Sequence, residues 1–256
     1  MKIDVLGCGS AFSREQNTSA LRIMDDTNRQ WLIDCGPTIP RALWQRGGDI
    51  NDIDVIYFTH VHPDHCVGLT ALLNYWKSFS RQKPLVIYSQ PQQRPVLMQL
   101  AALASWPQTA LGFDLDWRDA TDTWHWHDWH IRTAETQHEL PNRAIRITQG
   151  GQTLFYSGDG RPTPQSIALM AGADLAFQEC ASLTALSEDA SHGDFPSCLA
   201  LFQQLAIPSF GLYHCYDAIL DDLKTACQPW NGLFVSHDGL QITLTTPHNA
   251  PEERPA

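Results

Sequence analysis

Short apolar blocks separated by glycine, proline and acidic turns run along most of the chain. Lys2 to Leu6 stops at Gly7-Cys8-Gly9-Ser10 and predicts a buried strand feeding a glycine turn. Ala20 to Met24 and Trp31 to Asp34 predict two strands of a hairpin, joined by a polar turn. Pro37 to Arg46 predicts a helix, with proline at its start and Gly47-Gly48 past its end. Asp54 to Phe58 is a near-continuous apolar run, as a strand buried on both faces requires. Val67 to Phe79 and Pro91 to Ala104 have helical spacing, with a strand at Leu85 to Tyr88 between them. Strands dominate from about Phe113 to Tyr156. Helices follow near Pro164 to Met170, Pro196 to Leu205 and Tyr216 to Thr225. Short strands at Leu175 to Phe177, Phe210 to Tyr213, Leu233 to Val235 and Gln241 to Leu244 separate or follow them. No linker interrupts the pattern. The expectation is one α/β domain over residues 1–245 and a loose tail at 246–256, rich in Pro, Glu and Asn.

Composition narrows the function. The 256 residues carry a formal charge of -11 with only 17 lysines and arginines and no basic run, which speaks against a large nucleic-acid footprint. Seven scattered cysteines lack any C-x-x-C pair, so a disulfide framework or zinc ribbon is not expected and a reducing compartment fits. No stretch reads as a signal peptide or a membrane span. The chain reads as soluble and cytoplasmic, acting on a small-molecule substrate.

The densest chemistry is HVHPDH, which places His60, His62, Asp64 and His65 directly after the buried strand Asp54 to Phe58. Ligand sites of open α/β sheets collect past the carboxyl ends of strands. Alternate residues of an extended turn point the same way, so His60 and His62 share one metal in this reading, and Asp64 with His65 faces a second. Imidazole with carboxylate suits zinc, and also manganese or iron.

H-x-H-x-D-H after an apolar strand resembles the signature of the metallo-β-lactamase superfamily. The likeness continues in order through His138, the SGDG turn with Asp159, and the YHC segment with His214. It implies a four-layer αββα sandwich of two mixed β-sheets with two divalent metal ions at one edge. By the same resemblance His60, His62 and His138 hold the first ion, Asp64, His65 and His214 the second, and Asp159 bridges them. A bridging hydroxide would be the nucleophile. Taken singly, His138 is also a plain loop histidine, Asp159 a turn former and His214 a core histidine. The ordered set makes joint coincidence the weaker explanation.

LGCGSAFSREQNTSALRI, with Gly7, Gly9, Ser10, Asn17, Thr18 and Ser19, resembles the opening of the ribonuclease Z-like branch, as do WLIDCG at Trp31 to Gly36 and the closing DGLQI. In that branch an acidic residue orients a histidine that serves the leaving oxygen. Glu179 and His192 match those positions, which makes Asp64, Glu179 and His192 the candidate catalytic residues. His192 is followed by Gly-Asp-Phe-Pro-Ser rather than the branch's serine or threonine. Only 20 residues separate His138 from Asp159, which leaves no room for the arm that grips transfer RNA. The short form is similar to the phosphoribosyl cyclic phosphodiesterases, without their cysteine-rich insertion. Members of the superfamily often dimerise, so a homodimer is a further expectation. Arg14, Asn17 and Arg161, in turns at the expected site edge, are weaker candidates for phosphate contact.

The leading expectation is a phosphodiesterase for a small or cyclic phosphodiester. The rival within enzymes is a lactone, ester or thioester hydrolase using the same metals, kept open by Pro63 where the branch more often has glycine. A non-catalytic metal-binding module is the alternative of another class. TWHWHDWHIR, Thr123 to Arg132, holds three further histidines. Its tryptophans alternate at period two about a His-Asp turn, so His125, His127 and His130 read as the exposed side of a hairpin. An accessory metal site or a stacking platform is the alternative use.

Overall fold

The computed structural model describes residues 1–245, so the expected tail at 246–256 lies outside the described residues. Two seven-stranded sheets face each other. The first contains β1 (Lys2–Gly7), β2 (Ala20–Met24), β3 (Gln30–Ile33), β4 (Ile53–Tyr57), β5 (Leu85–Ser89) and β6 (Leu115–Asp119), with β14 (Gln241–Thr243) outside β1. The second runs in sequence through β7 (Thr123–Trp126), β8 (Trp129–Glu135), β9 (Arg143–Gln149), β10 (Gln152–Tyr156), β11 (Leu175–Glu179), β12 (Ser209–Tyr213) and β13 (Leu233–Val235). β3 to β6 and β10 to β13 are parallel and the remaining pairs antiparallel, so both sheets are mixed.

Pleat alternation assigns each side chain to a layer. Val55 and Tyr57 of β4 enter the core between the sheets. Ile56 and Phe58 point outward, under α1 (Ile39–Arg46), α2 (Pro63–Cys66), α3 (Gly68–Ser78) and α4 (Arg94–Ser105). The second sheet packs its outer face on α5 (Pro164–Met170), α6 (Phe195–Leu205) and α7 (Leu220–Cys227). The result is the expected αββα sandwich. All seven cysteines are buried and unpaired, and no helix among the described residues is long and apolar enough to cross a membrane.

The histidine- and tryptophan-rich stretch is the β7–β8 hairpin. His127 turns at φ 53°, and Trp126 pairs with Trp129. Trp129 is fully buried and stacks on Trp31 at 5.5 Å, while His125 and His130 stack on each other on the outer side. No group of three or more metal-binding side chains among the described residues includes these histidines. The tryptophans pack on the core side of the hairpin and the histidines lie on the other side, as its alternation indicates.

Trp129 Nε1 donates to Asp25 Oδ2 at 3.0 Å, and Asp25 Oδ1 also accepts from Thr27 and from the Arg29 N–H. Burial pushes this carboxyl up, but the donors, led by the Arg29 N–H, outweigh it and hold the pKa below the ordinary value. Its stabilisation is thus present above about pH 4 and lost as pH falls further. Asp25→Asn is expected to cost about 1–2 kcal/mol in urea unfolding at neutral pH. The gap to the parent protein should narrow below about pH 4; a gap constant with pH would mean that the charge is not what the turn uses.

Candidate metal centre

The carboxyl ends of β4, β10, β11 and β12 meet at one edge of the sandwich, and His60, Asp159, Glu179 and His214 lie there. His60 and His62 occupy the extended exit from β4. There the chain departs from the expected extended turn: His62 (φ −61°, ψ 148°) caps α2, and Pro63 opens it. Proline is favoured at a first helical position because its missing N–H has no partner to lose. The helical turn brings the His65 ring to 4.2 Å from that of His60, while His62 lies 4.7 Å from His60 on another side.

Backbone contacts hold this turn. Cys35 N donates to His65 O at 2.7 Å, and Gly68 N donates to Cys35 O at 2.9 Å. A Cβ on Gly36 would lie 1.7 Å from Asp64 O, so only glycine permits the approach. His138 sits on the loop after β8, anchored by the Gln137–Arg161 backbone pair. Asn142, fully buried, donates to Ser157 O and Thr136 Oγ1 and accepts from Asp159 N, fixing the Asp159 turn.

Hydrogen bonding sets the histidine tautomers. Thr59 Oγ1 donates to Asp34 Oδ2 (2.8 Å), so it accepts from His60 Nδ1 (3.0 Å). His65 Nδ1 donates to the same Asp34 oxygen (2.8 Å), and His138 Nδ1 donates to Ser191 O (2.9 Å). In a neutral imidazole the other nitrogen then carries a lone pair. Three Nε2 lone pairs therefore face inward.

His60 Nε2 and His138 Nε2 lie 3.0 Å and 3.1 Å from His62 Nδ1. One proton on His62 Nδ1 is aimed at one of these nitrogens, whereas a cation serves all three. His65 Nε2 and Asp159 Oδ1 are buried 3.2 Å apart without a hydrogen-bond partner. His214 Nε2 stands 3.2 Å from Asp64 Oδ2 and 3.4 Å from Asp159 Oδ2. Two of the three groups of potential ligands among the described residues are His60, His62, His138 and Asp159, and Asp64, His65, Asp159 and His214; the third is Glu179, His192 and His214. Asp159 belongs to the first two.

Burial, reinforced by His65, keeps His60 well below its ordinary pKa and hence neutral, as a ligand must be. Burial alone would raise Asp159, but the facing His214 and His65 hold it well below the carboxylate range. At His65 and His214 the lowering by burial is outweighed, chiefly by Asp159, and both pKa values are raised, so an ion held there would displace protons. These residues fit divalent metal ions.

Glu179 ends β11, fully buried. Its Oε1 accepts from His192 Nδ1 at 2.7 Å and from Gly193 N at 3.1 Å, and its Oε2 accepts from Gly160 N. The Glu179 hydrogen bond raises the His192 pKa to about 9. The His192 ring lies between those of His138 (5.2 Å) and His214 (6.0 Å), at a cleft of about 240 Å³. Of the expected phosphate contacts at the rim, the side chains of Arg161 and Asn17 are engaged elsewhere. Arg161 is bound to Asp194 at 2.8 Å, the Asn17 side chain donates to Leu6 O, and the Arg14 backbone donates to Asp217.

Residues 1–227 match the family model described as anti-Pycsar protein Apyc1. The chain belongs to this family. The Apyc1 protein of Paenibacillus harenae is 28% identical over 188 residues, covering 70% of this chain and 77% of that protein. The ribonuclease Z of Clostridium acetobutylicum is 34% identical over 104 residues, 41% of this chain but only 34% of that enzyme. Among solved structures, the metallo-β-lactamase fold protein YhfI from Bacillus subtilis superposes with a TM-score of 0.80 at 19% identity, covering 94% of this chain and 98% of that one. Fold and branch are those the motifs implied, and this Apyc1-family chain is a metal-dependent hydrolase. The sequence reading stopped at the branch and did not reach the Apyc1 family.

Sequence reasoning missed Asp34 and Asn142. Asp34 orients His65 directly and His60 through Thr59, at a left-handed φ of 61°. Asp34→Asn puts donors where acceptors are needed. It is expected to weaken metal binding about 10–100-fold in chelator competition, with the fold intact by circular dichroism. Unchanged affinity would mean that the ligands are held without it.

Proposed function

We propose that the chain is a dinuclear metal-dependent phosphodiesterase for a small or cyclic phosphodiester, built as one domain over residues 1–245. The observation that carries the reading is His192, held by the buried carboxylate of Glu179 at the edge of the ligand cluster. In this reading His60, His62 and His138 hold one ion, Asp64, His65 and His214 the other, and Asp159 is shared. Zinc suits the imidazole-rich set, and manganese or iron is also compatible. Two bound dications would clamp the phosphate oxygens and lower the pKa of a water between them.

The chain's own residues do the rest. Asp64 stays ionised: burial pushes its pKa up, but the facing His214 and His65 outweigh this and hold it far down. As water attacks phosphorus, the P–O bond to the leaving group breaks, and that oxygen takes the proton from His192 Nε2. The surplus proton of the attacking water restores the imidazolium. Glu179 is the positioning residue: it fixes the ring through Nδ1 and stabilises the charged form. Carboxylic ester or lactone hydrolysis makes no demand for such an acid. Pro63, which kept that rival open, has a structural reason at the start of α2 and no longer favours it.

The test compares turnover of bis(p-nitrophenyl) phosphate and of a simple lactone by the purified, metal-loaded protein. Diester hydrolysis without lactone hydrolysis is expected. The reverse would move the substrate class to carbonyl compounds and leave the metal centre standing.

A further inference from the structure

A second cleft, of about 740 Å³, lies beside β8 and shares no lining residue with the one at the metal centre. β7 starts at Thr123, opposite Arg132, and β8 runs on past that point to Glu135. The turn at Asp122 and the start of α5 wall the space this leaves. Arg132, Arg143, Thr123, Ala134, Gln165 and Ala168 are among the side chains that line it.

The two arginines differ. Arg143 meets carboxylates: it is bonded to Asp122 and lies 3.6 Å from Glu135. Arg132 is exposed and has neither a hydrogen bond from its side chain nor an ion pair among the described residues. Its neighbours on the sheet add positive charge. Arg146 stands directly opposite it on β9, with its guanidinium turned to Leu169 O and Ala171 O at 2.8 Å and 2.7 Å. His130 is two residues back on the same face of β8 and stacks on His125. Burial, then His125 and Arg132, push the His130 pKa down; burial, then Arg132, lower that of Arg146, and Asp174 opposes this. Like charges directly opposite each other on paired strands are destabilising. On a chain of formal charge -11 the sheet retains that cost, with no carboxylate at Arg132 to offset it.

We propose that this cleft binds a small organic anion whose phosphate or carboxylate group is received by Arg132. A guanidinium fork matches either oxyanion with two parallel hydrogen bonds. Gln165 offers hydrogen bonds to the body of the molecule, and Ala134 and Ala168 give it a short apolar wall. Arg143 with its two carboxylates adds no net positive charge, so the site takes one anionic head on a small polar body and not a polyanion. Binding here stands apart from the metal centre and from the phosphodiesterase reading.

The experiment is calorimetric titration of glycerol 3-phosphate and of glycerate into the full, metal-loaded chain. The two probes have similar polyol bodies and differ in the anionic head, so the preferred one identifies the head group. The proteins are the parent, Arg132→Gln, Arg132→Lys and Arg41→Gln, the last removing an exposed charge on α1 under the other sheet. Arg132→Gln is expected to weaken the preferred anion about tenfold, with a smaller loss in Arg132→Lys and none in Arg41→Gln. An anion that ligates the metal ions instead would bind all four proteins alike. Hydrogen exchange places the site: the anion should slow exchange in β8 and the start of α5 of the parent but not of Arg132→Gln. Turnover of bis(p-nitrophenyl) phosphate without added anion should match the parent in every variant. Failure of both anions to bind, equal affinity in the parent and Arg132→Gln, an equal loss in Arg41→Gln, or protection confined to the loops of the candidate metal ligands would each overturn the proposal.

Discussion

Asp159→Ala is expected to lower phosphodiester turnover by about 10³-fold or more, roughly 4 kcal/mol of lost transition-state stabilisation. The size follows from the position of one carboxylate. Asp159 belongs to both groups proposed to hold an ion and is the only residue shared between them. One of its oxygens is 3.2 Å from His65 Nε2 and the other 3.4 Å from His214 Nε2. Removing it takes a negative charge from between the histidines, so the loss is in ion retention as well as rate. Metal content after gel filtration, measured by plasma mass spectrometry, should fall together with activity. Circular dichroism should be unchanged, because the turn is held by Asn142 and the Asp159 backbone rather than by the Asp159 side chain. A variant that keeps full metal content and full rate would remove Asp159 from the centre altogether.

The second large effect depends on the substrate. His192→Ala is expected to slow hydrolysis of a diester with an alkoxide leaving group by about 10²–10⁴-fold. For a p-nitrophenolate leaving group, which departs as a stable anion without a proton, the loss should be far smaller. Glu179→Gln should fall between, because glutamine still meets His192 Nδ1 but no longer stabilises the imidazolium. The readout is the slope of rate against leaving-group basicity, which should steepen in His192→Ala. Equal losses for both leaving groups would mean that His192 shapes the cleft and supplies no proton.

The candidate ligands were more legible than the residues that hold them. HVHPDH, His138, Asp159 and His214 stand out in sequence because metal donors in one order at strand ends are rare by chance, and the fold brings all of them to one edge. Asp34 lies in the WLIDCG segment but gave no sign of its own role. It ends an ordinary apolar strand, and its role arises only when β3 and β4 lie side by side and Thr59 and His65 come within reach. Asn142 is equally silent, since it acts on a turn 15 to 17 residues further along.

Element boundaries show the same division. β2 and α5 fall where periodicity placed them, because their ends coincide with turn chemistry at Asp25 and Thr163. The Tyr216 to Thr225 helix instead begins with a 3-10 turn at Asp217–Ile219 and then runs as α7 to Cys227. Asp217 there ties down the Ser13–Arg14 loop, a contact that local propensity does not encode. The TWHWHDWH stretch was decided by alternation, since a period of two sends the tryptophans and the histidines to opposite faces.

The seven candidate ligands come from both halves of the sandwich: His60, His62, Asp64 and His65 follow a strand of one sheet, and His138, Asp159 and His214 follow strands of the other. Each of the two ligand groups draws on both sheets, so an ion held by either would join the two halves like a clasp. Folding and ion binding then become one equilibrium, in which a thousandfold excess of free ion over its dissociation constant adds about 4 kcal/mol to the folded state. The melting temperature of this chain is accordingly a function of the metal in its buffer, and thermal unfolding in a series of metal-ion buffers would report the affinity of the centre without any substrate.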